Sequence, residues 1–61
     1  MFMIRRGKIL IKSTNGNFLE WDIADVLFLG DKISISWTDG SGRHLNEEHS
    51  RSSLVEFQPI A

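Results

Sequence analysis

His44-Leu45-Asn46-Glu47-Glu48-His49 is the stretch of this chain whose residue types suit a metal ion. The inverted zinc-protease motif is His-x-x-Glu-His. Here Leu45 stands where the first His is required, so the spacing is one residue too long. A catalytic zinc needs three protein ligands, and no third ligand follows at a usable spacing. The stretch therefore reads as a solvated polar turn, and neither metal nor cofactor is expected. Nucleophilic chemistry has less support. Ser13, Ser34, Ser36, Ser41, Ser50, Ser52 and Ser53 all lie outside a Gly-x-Ser-x-Gly setting. A triad also needs a base and an oxyanion hole around a concave site, which so short a chain hardly offers. Gly40-Ser41-Gly42 lacks both the third glycine and the βα unit of a dinucleotide fingerprint, and reads as a turn. Glu47 and Glu48 are adjacent and would point different ways. No enzyme is expected.

Charge offers a second kind of chemistry. The net charge is −1, which argues against a strongly basic nucleic-acid binder. The signs are nonetheless segregated. Arg5, Arg6, Lys8 and Lys12 come without an acid among residues 1–12, and Glu20, Asp22, Asp25 and Asp31 come without a base among residues 17–31. Two readings follow. The blocks neutralise each other as neighbouring strands, or the basic strip of Arg5, Arg6, Lys8 and Lys12, with Lys32 and Arg43, faces a phosphate backbone or an acidic protein. Small barrels bind single strands by stacking bases on aromatics in a basic groove, and Phe2 or Phe18 would be the platforms. Trp21 and Trp37 fall on the expected core face and read as packing.

These residues must be held by strands. Ile33-Ser34-Ile35-Ser36-Trp37-Thr38 alternates apolar and polar without exception, the pattern of a half-buried strand. Leu19, Trp21 and Ile23 make a second inward set, Ile9 and Ile11 a third, and Val55 and Phe57 mark a last strand. Turn chemistry sets the register. A two-residue loop at Asn15-Gly16 would put Ile11 opposite Glu20 and mix the faces, which burial forbids. A type I turn at Thr14-Asn15 with Gly16 in a left-handed bulge position instead puts Ile11 opposite Leu19, Ile9 opposite Trp21, Leu10 opposite Glu20 and Lys8 opposite Asp22. Gly30-Asp31 suits a two-residue II′ loop, with Phe28 opposite Ile33 and Val26 opposite Ile35. Asp39-Gly40-Ser41-Gly42 returns the chain so that Leu45 joins Trp37. Residues 46–53 lack apolar side chains, and Asn46 reads as the N-cap of one or two exposed helical turns. Pro59 ends regular pairing.

The expected architecture is thus one all-β domain over residues 1–61. It is an antiparallel meander of five or six strands curled into a small open barrel of SH3-like or Sm-like kind. One short helical turn precedes the last strand. Residues 1–4 read as an N-terminal arm and 59–61 as a short tail. Asn15-Gly16, Asp22-Ile23 with Asp25-Val26, Asp39-Gly40 and Ser53-Leu54 together loosely resemble the first half of LytTR-type DNA-binding domains. The DNA-contacting second half of that family has no counterpart after Phe57, and no residue roles are carried over.

Size completes the expectation. A domain of about 60 residues buries only about 60% of the surface its unfolded chain exposes. With no Cys there is no disulfide to compensate, and the absence fits the cytoplasm. No apolar run approaches the ~20 residues of a membrane helix, and the N-terminus lacks the pattern of a signal peptide. The face opposite the core carries Leu10, Phe18, Leu27 and Leu29, and residues 1–4 add Phe2 and Ile4. A clustered second apolar face points to a contact. The expected function is a non-enzymatic interaction module acting as a homodimer or larger ring. Self-association would use Phe2, Ile4, Leu10, Phe18, Leu27 and Leu29, and the second partner would be another protein. Bacterial accessory proteins and phage-encoded inhibitors are often of this size and Cys-free. The rival expectation is a nucleic-acid-binding barrel using Arg5, Arg6, Lys8, Lys12 and Arg43.

Overall fold

A computed structural model describes residues 3–60 of the chain, the side chain of Met3 excepted. The strands are β1 (Met3–Lys12), β2 (Phe18–Leu29), β3 (Lys32–Thr38), β4 (His44–Ser50) and β5 (Leu54–Pro59), with one 3₁₀ turn (Arg51–Ser53) before β5. They form a single antiparallel sheet in the order β4-β3-β2-β1-β5. The sheet does not close, so β4 and β5 are its two edges. The meander is the expected one, with five strands.

The turns follow from their residues. Gly16 has φ 89° and its N–H donates to the Ser13 carbonyl at 3.0 Å, closing a type I turn with a glycine bulge. Ile11 then pairs with Leu19, Ile9 with Trp21 and Leu10 with Glu20, as the alternation requires. Gly42, φ 85°, repeats this turn over Asp39–Arg43, with Asp39 N–H donating to Arg43 O at 2.9 Å and Gly42 N–H to Asp39 O at 3.0 Å. Gly30 takes φ 62° while Asp31 does not take a positive φ, which is the II′ geometry, and Phe28 meets Ile33.

The core consists of Ile9, Ile11, Ala24, Val26, Ile33 and Ile35, all buried, with Trp21, Phe28, Trp37, Leu54 and Phe57 packed around them. Phe28 of β2 meets Phe57 of β5 at 5.9 Å edge to face, although β1 lies between the two strands. The sheet must therefore curl for these rings to touch. Trp21 and Trp37 meet at 5.2 Å on the same inner side, as their core-face assignment expects.

Several expectations need correction. First, Ile23 is not inward but 63% exposed. Gly7 pairs with Ala24 and Ile9 with Trp21, so Asp22 and Ile23 together oppose the single residue Lys8. This bulge shifts the inward set of β2 from odd to even positions, which lets Trp21, Ala24 and Val26 all face the core. Second, Lys8 has no single partner on β2 but shares its place with Asp22 and Ile23, and its ammonium reaches Glu20 at 3.6 Å. Third, Asn46 caps no helix. β4 runs on to Ser50, with Leu45 and His49 half-buried on its inner side, and Ser50 caps the short 3₁₀ turn by accepting from Ser52 N–H at 3.3 Å. The Asn46 amide is drawn into the sheet instead, donating to Ser34 Oγ and Ser36 Oγ at 2.8 Å each. Fourth, Met3 and Ile4 do not form an arm but pair with Phe28 and Leu27. Pro59 belongs to β5 opposite Gly7, and the Ile60 N–H adds one bond beyond it, to Arg6 O at 2.8 Å. Val55 is the extra residue of a second bulge, opposite Leu10 and Ile11, and is 52% exposed.

Gly7 is required for a steric reason. A Cβ placed there would lie 2.2 Å from the Gln58 carbonyl oxygen, a backbone atom that cannot rotate away. Gly7→Ala should force β1 and β5 apart. Overpacking of this kind costs about 1–3 kcal/mol or more, a large share of the roughly 3–9 kcal/mol expected for a domain of this length. The expected result is a denaturant midpoint well below that of the parent. An unchanged midpoint would mean the two backbones are not this close.

Candidate functional site

Alternation places Ile4, Arg6, Lys8, Leu10 and Lys12 of β1 on the outer face of the sheet. Register then aligns them with outward residues of the other strands. Arg6 opposes Asp25, Asp25 opposes Ser36, and Ser36 opposes Asn46, giving one polar row across β1, β2, β3 and β4. Beside it Ile4 opposes Leu27, Leu27 opposes Ser34, and Ser34 opposes Glu48. Thr38 and His44 flank the polar row on the other side, with Thr38 Oγ1 and His44 Nδ1 3.1 Å apart. Arg6, Asp25, Ser36, Thr38, His44 and Asn46 line a shallow open groove of about 310 Å³.

The polar groups of this face mostly satisfy one another. Arg6 Nε donates to Asp25 Oδ1 at 2.9 Å and Nη2 donates to Oδ2 at 3.4 Å. The hydrogen bond from Arg6 holds the Asp25 carboxyl below its ordinary range, and the same bond raises the Arg6 guanidinium further. Arg43 lies 3.3 Å from Asp39. Asp39 also accepts from Ser41 Oγ at 2.7 Å, Ser41 N–H at 2.9 Å and Arg43 N–H at 3.0 Å. The Ser41 hydroxyl is the first cause of its lowered pKa, with the Arg43 backbone next. Lys12 sits over the Phe18 ring at 5.8 Å. Arg5 lies opposite Val26 and also takes part in an interaction within the chain. Arg6, Lys8 and Arg43 of the expected contact strip thus each face a carboxylate, Arg6 and Lys8 in the arrangement expected of adjoining basic and acidic strands and Arg43 within its own turn.

The expected self-association residues are distributed unevenly. Ile4, 67% exposed, pairs with Leu27, and Leu29 follows two positions on. Leu10 is half-buried between Glu20 and Glu56. Phe18, 59% exposed, lies apart beside Lys12. Phe2 is outside the described residues. The structure adds Ile23 next to this face and Ile60, 56% exposed, next to Arg6. Sequence alternation missed Ile23 because only pairing with β1 reveals the bulge. Ile60 carried no signal beyond its place after Pro59.

Among the described residues no group of three or more His, Asp or Glu side chains converges as metal ligands. His44 and His49 diverge, since β4 alternates and sends His44 outward and His49 inward. His49 Nε2 lies 3.6 Å from Glu47, makes no hydrogen bond among the described residues, and its ring packs 6.4 Å from Trp21. Arg51, which the sequence did not single out, ties the 3₁₀ turn to the β2–β3 loop. Its N–H donates to Asp31 O at 2.7 Å and its guanidinium covers Phe28 at 5.5 Å. No helix of the described residues is long and apolar enough to cross a membrane. Comparison with known proteins returns no match: no family model fits the chain, and no curated protein or solved structure is significantly similar to it.

The two lowered carboxylates have a consequence for pH. A carboxylate whose folded pKa lies below its unfolded value of about 4 stabilises the fold above that value, and the contribution disappears as pH falls through the folded pKa. Asp25→Asn and Asp39→Asn should therefore each lower the melting temperature slightly at neutral pH, and each should flatten the loss of stability below about pH 4. Thermal melts followed by Trp fluorescence across that range test this. An unaltered acid limb in both variants would show that neither carboxylate keeps these hydrogen-bond partners in solution.

Proposed function

We propose that this chain is a non-enzymatic protein-interaction module that works as a homo-oligomer, with the outer face of its sheet as a contact surface. The observation that carries this reading is the exposure of Ile4, at 67%, against Leu27, with Ile23 at 63% and Ile60 at 56% exposed beside the neighbouring Arg6–Asp25 pair. Scattered apolar residues need no account, whereas a group on one face of so small a domain does. The core supports it as well, because full burial is reached by Ile9, Ile11, Val26, Ile33 and Ile35 and few others. Covering Ile4 and Leu27 would extend the buried surface where the single domain has least of it. A small accessory or inhibitor protein that acts on a larger partner is the matching biological role.

Light scattering after size exclusion should give a multiple of 7.0 kDa at tens of micromolar protein. Leu27→Asp should reduce that mass while leaving the β-sheet circular dichroism intact. A clean monomer for the parent chain would overturn the oligomer. Loss of the folded signal in Leu27→Asp would assign Leu27 to the core instead of the contact.

The ion pairs bear on the rival nucleic-acid reading. Arg6, Lys8 and Arg43 face Asp25, Glu20 and Asp39, so phosphates would compete with carboxylates already in place. Heparin-column chromatography at low salt should show the protein in the flow-through. Retention that weakens steeply with salt and is lost in Arg5→Ala/Arg6→Ala would establish phosphate contacts instead.

A further inference from the structure

The two edges of the sheet are not alike in their backbone groups. Ile60 N–H donates to Arg6 O at 2.8 Å. Hydrogen-bonded and non-bonded pairs alternate along an antiparallel ladder, so Gln58 also turns its backbone to β1, and Phe57 and Pro59 turn theirs outward. Pro59 has no N–H, and Val55 is bulged out of the ladder. The β5 edge is thus interrupted at both ends, a common way of blocking edge pairing. At the other edge, Asp39 N–H donates to Arg43 O at 2.9 Å. The same alternation aims Leu45, Glu47 and His49 at β3, and leaves the N–H and C=O groups of His44, Asn46, Glu48 and Ser50 facing outward. β4 contains neither proline nor a register shift, and it pairs with β3 on one side only. It is a regular, unblocked edge.

We propose that β4 pairs antiparallel with β4 of a second copy about a two-fold axis at Asn46, joining two five-stranded sheets into one. This rests on the self-association reading and gives it a contact separate from the apolar face. The side chains select the register. An axis at Glu47 would set that carboxylate opposite its own copy, and an axis at Glu48 would do the same for Glu48. Like charges directly opposite are destabilising. An axis at Leu45 would run the pairing out of β4 and into the turn at Arg43. An axis at Asn46 sets neutral amides opposite each other and places His44 opposite Glu48 of the second copy, twice by symmetry. Glu48 has no ion pair among the described residues, so its carboxylate is available to the imidazole. Glu47 then opposes Leu45 of the second copy, at the exposed rim of the inner face. The two-fold operation uses up the open edge of each chain. With β5 blocked, pairing stops at two copies instead of extending into a fibre.

The absence of Cys makes the register directly readable. Bonded partners in an antiparallel ladder have Cα atoms about 5.5 Å apart, within the span of a disulfide. Single variants Asn46→Cys, Glu47→Cys and Glu48→Cys are to be oxidised mildly in the otherwise full chain. Asn46→Cys should reach the disulfide-linked dimer several-fold faster than the other two. In parallel, Glu48→Pro removes an outward N–H without touching the bonds to β3, and should halve the mass found by light scattering. Equal or faster cross-linking at Glu47→Cys or Glu48→Cys would overturn the register. A folded Glu48→Pro of unchanged mass, with Leu27→Asp reducing the mass, would overturn the edge contact and leave self-association standing. A monomeric parent chain would overturn both. Should Glu48→Pro fail to fold, the cysteine rates still decide.

Discussion

At Gly7 the backbones of β1 and β5 come so close that no side chain fits between them, and one residue later β2 inserts an extra residue opposite Lys8. The rest of the molecule depends on these adjoining features. The close approach brings β5 against the middle of the sheet, and the bulge turns and twists β2 across it. Together they curl the sheet until Phe28 and Phe57 touch across β1. Without the curl the inner face would be an open half-buried sheet. With it, a handful of isoleucines and a valine reach full burial in a chain of 61 residues.

The same bulge shapes the outer surface. It pushes Ile23 out to solvent and brings Asp25 into line with Arg6. A charge pattern segregated along the chain thereby becomes a set of cross-strand pairs, Arg6 with Asp25 and Lys8 with Glu20. Exposed pairs of this kind are individually worth little. Their consequence is for recognition, because a basic strip already facing carboxylates presents a nearly neutral surface. What remains distinctive outside is apolar, around Ile4 and Leu27, and backbone, along β4.

Most of the strand plan was legible because alternation and turn chemistry had to agree. The three-residue bulge turn at Gly16 was forced by the requirement that Ile9 and Ile11 meet inward partners, and the Ile33–Phe28 and Trp37–Leu45 pairs followed likewise. Legibility failed where the signal depended on a neighbour. Residues 46–53 carry no apolar side chain, so nothing local distinguished an edge strand from a polar helix. The edge is polar because half of it faces solvent and because Asn46 serves Ser34 and Ser36 across the ladder. Of the candidate contacts, Leu27 was legible as an outward residue, Ile4 was read as part of an arm until its pairing with Leu27 placed it in β1, and Leu10 and Phe18 proved to be separated from them by charged neighbours.

The sequence by itself determined the all-β class, the three turns and the registers they impose. Those depend on residues near one another along the chain: a glycine that accepts positive φ, and isoleucines that must share a face. Tertiary structure alone decided which face of β2 is buried on each side of Lys8, where the sheet curls, and which edge is left open. Each of these is set by an unequal number of residues on paired strands or by the contact of two backbones distant in sequence. A single strand read alone contains neither quantity.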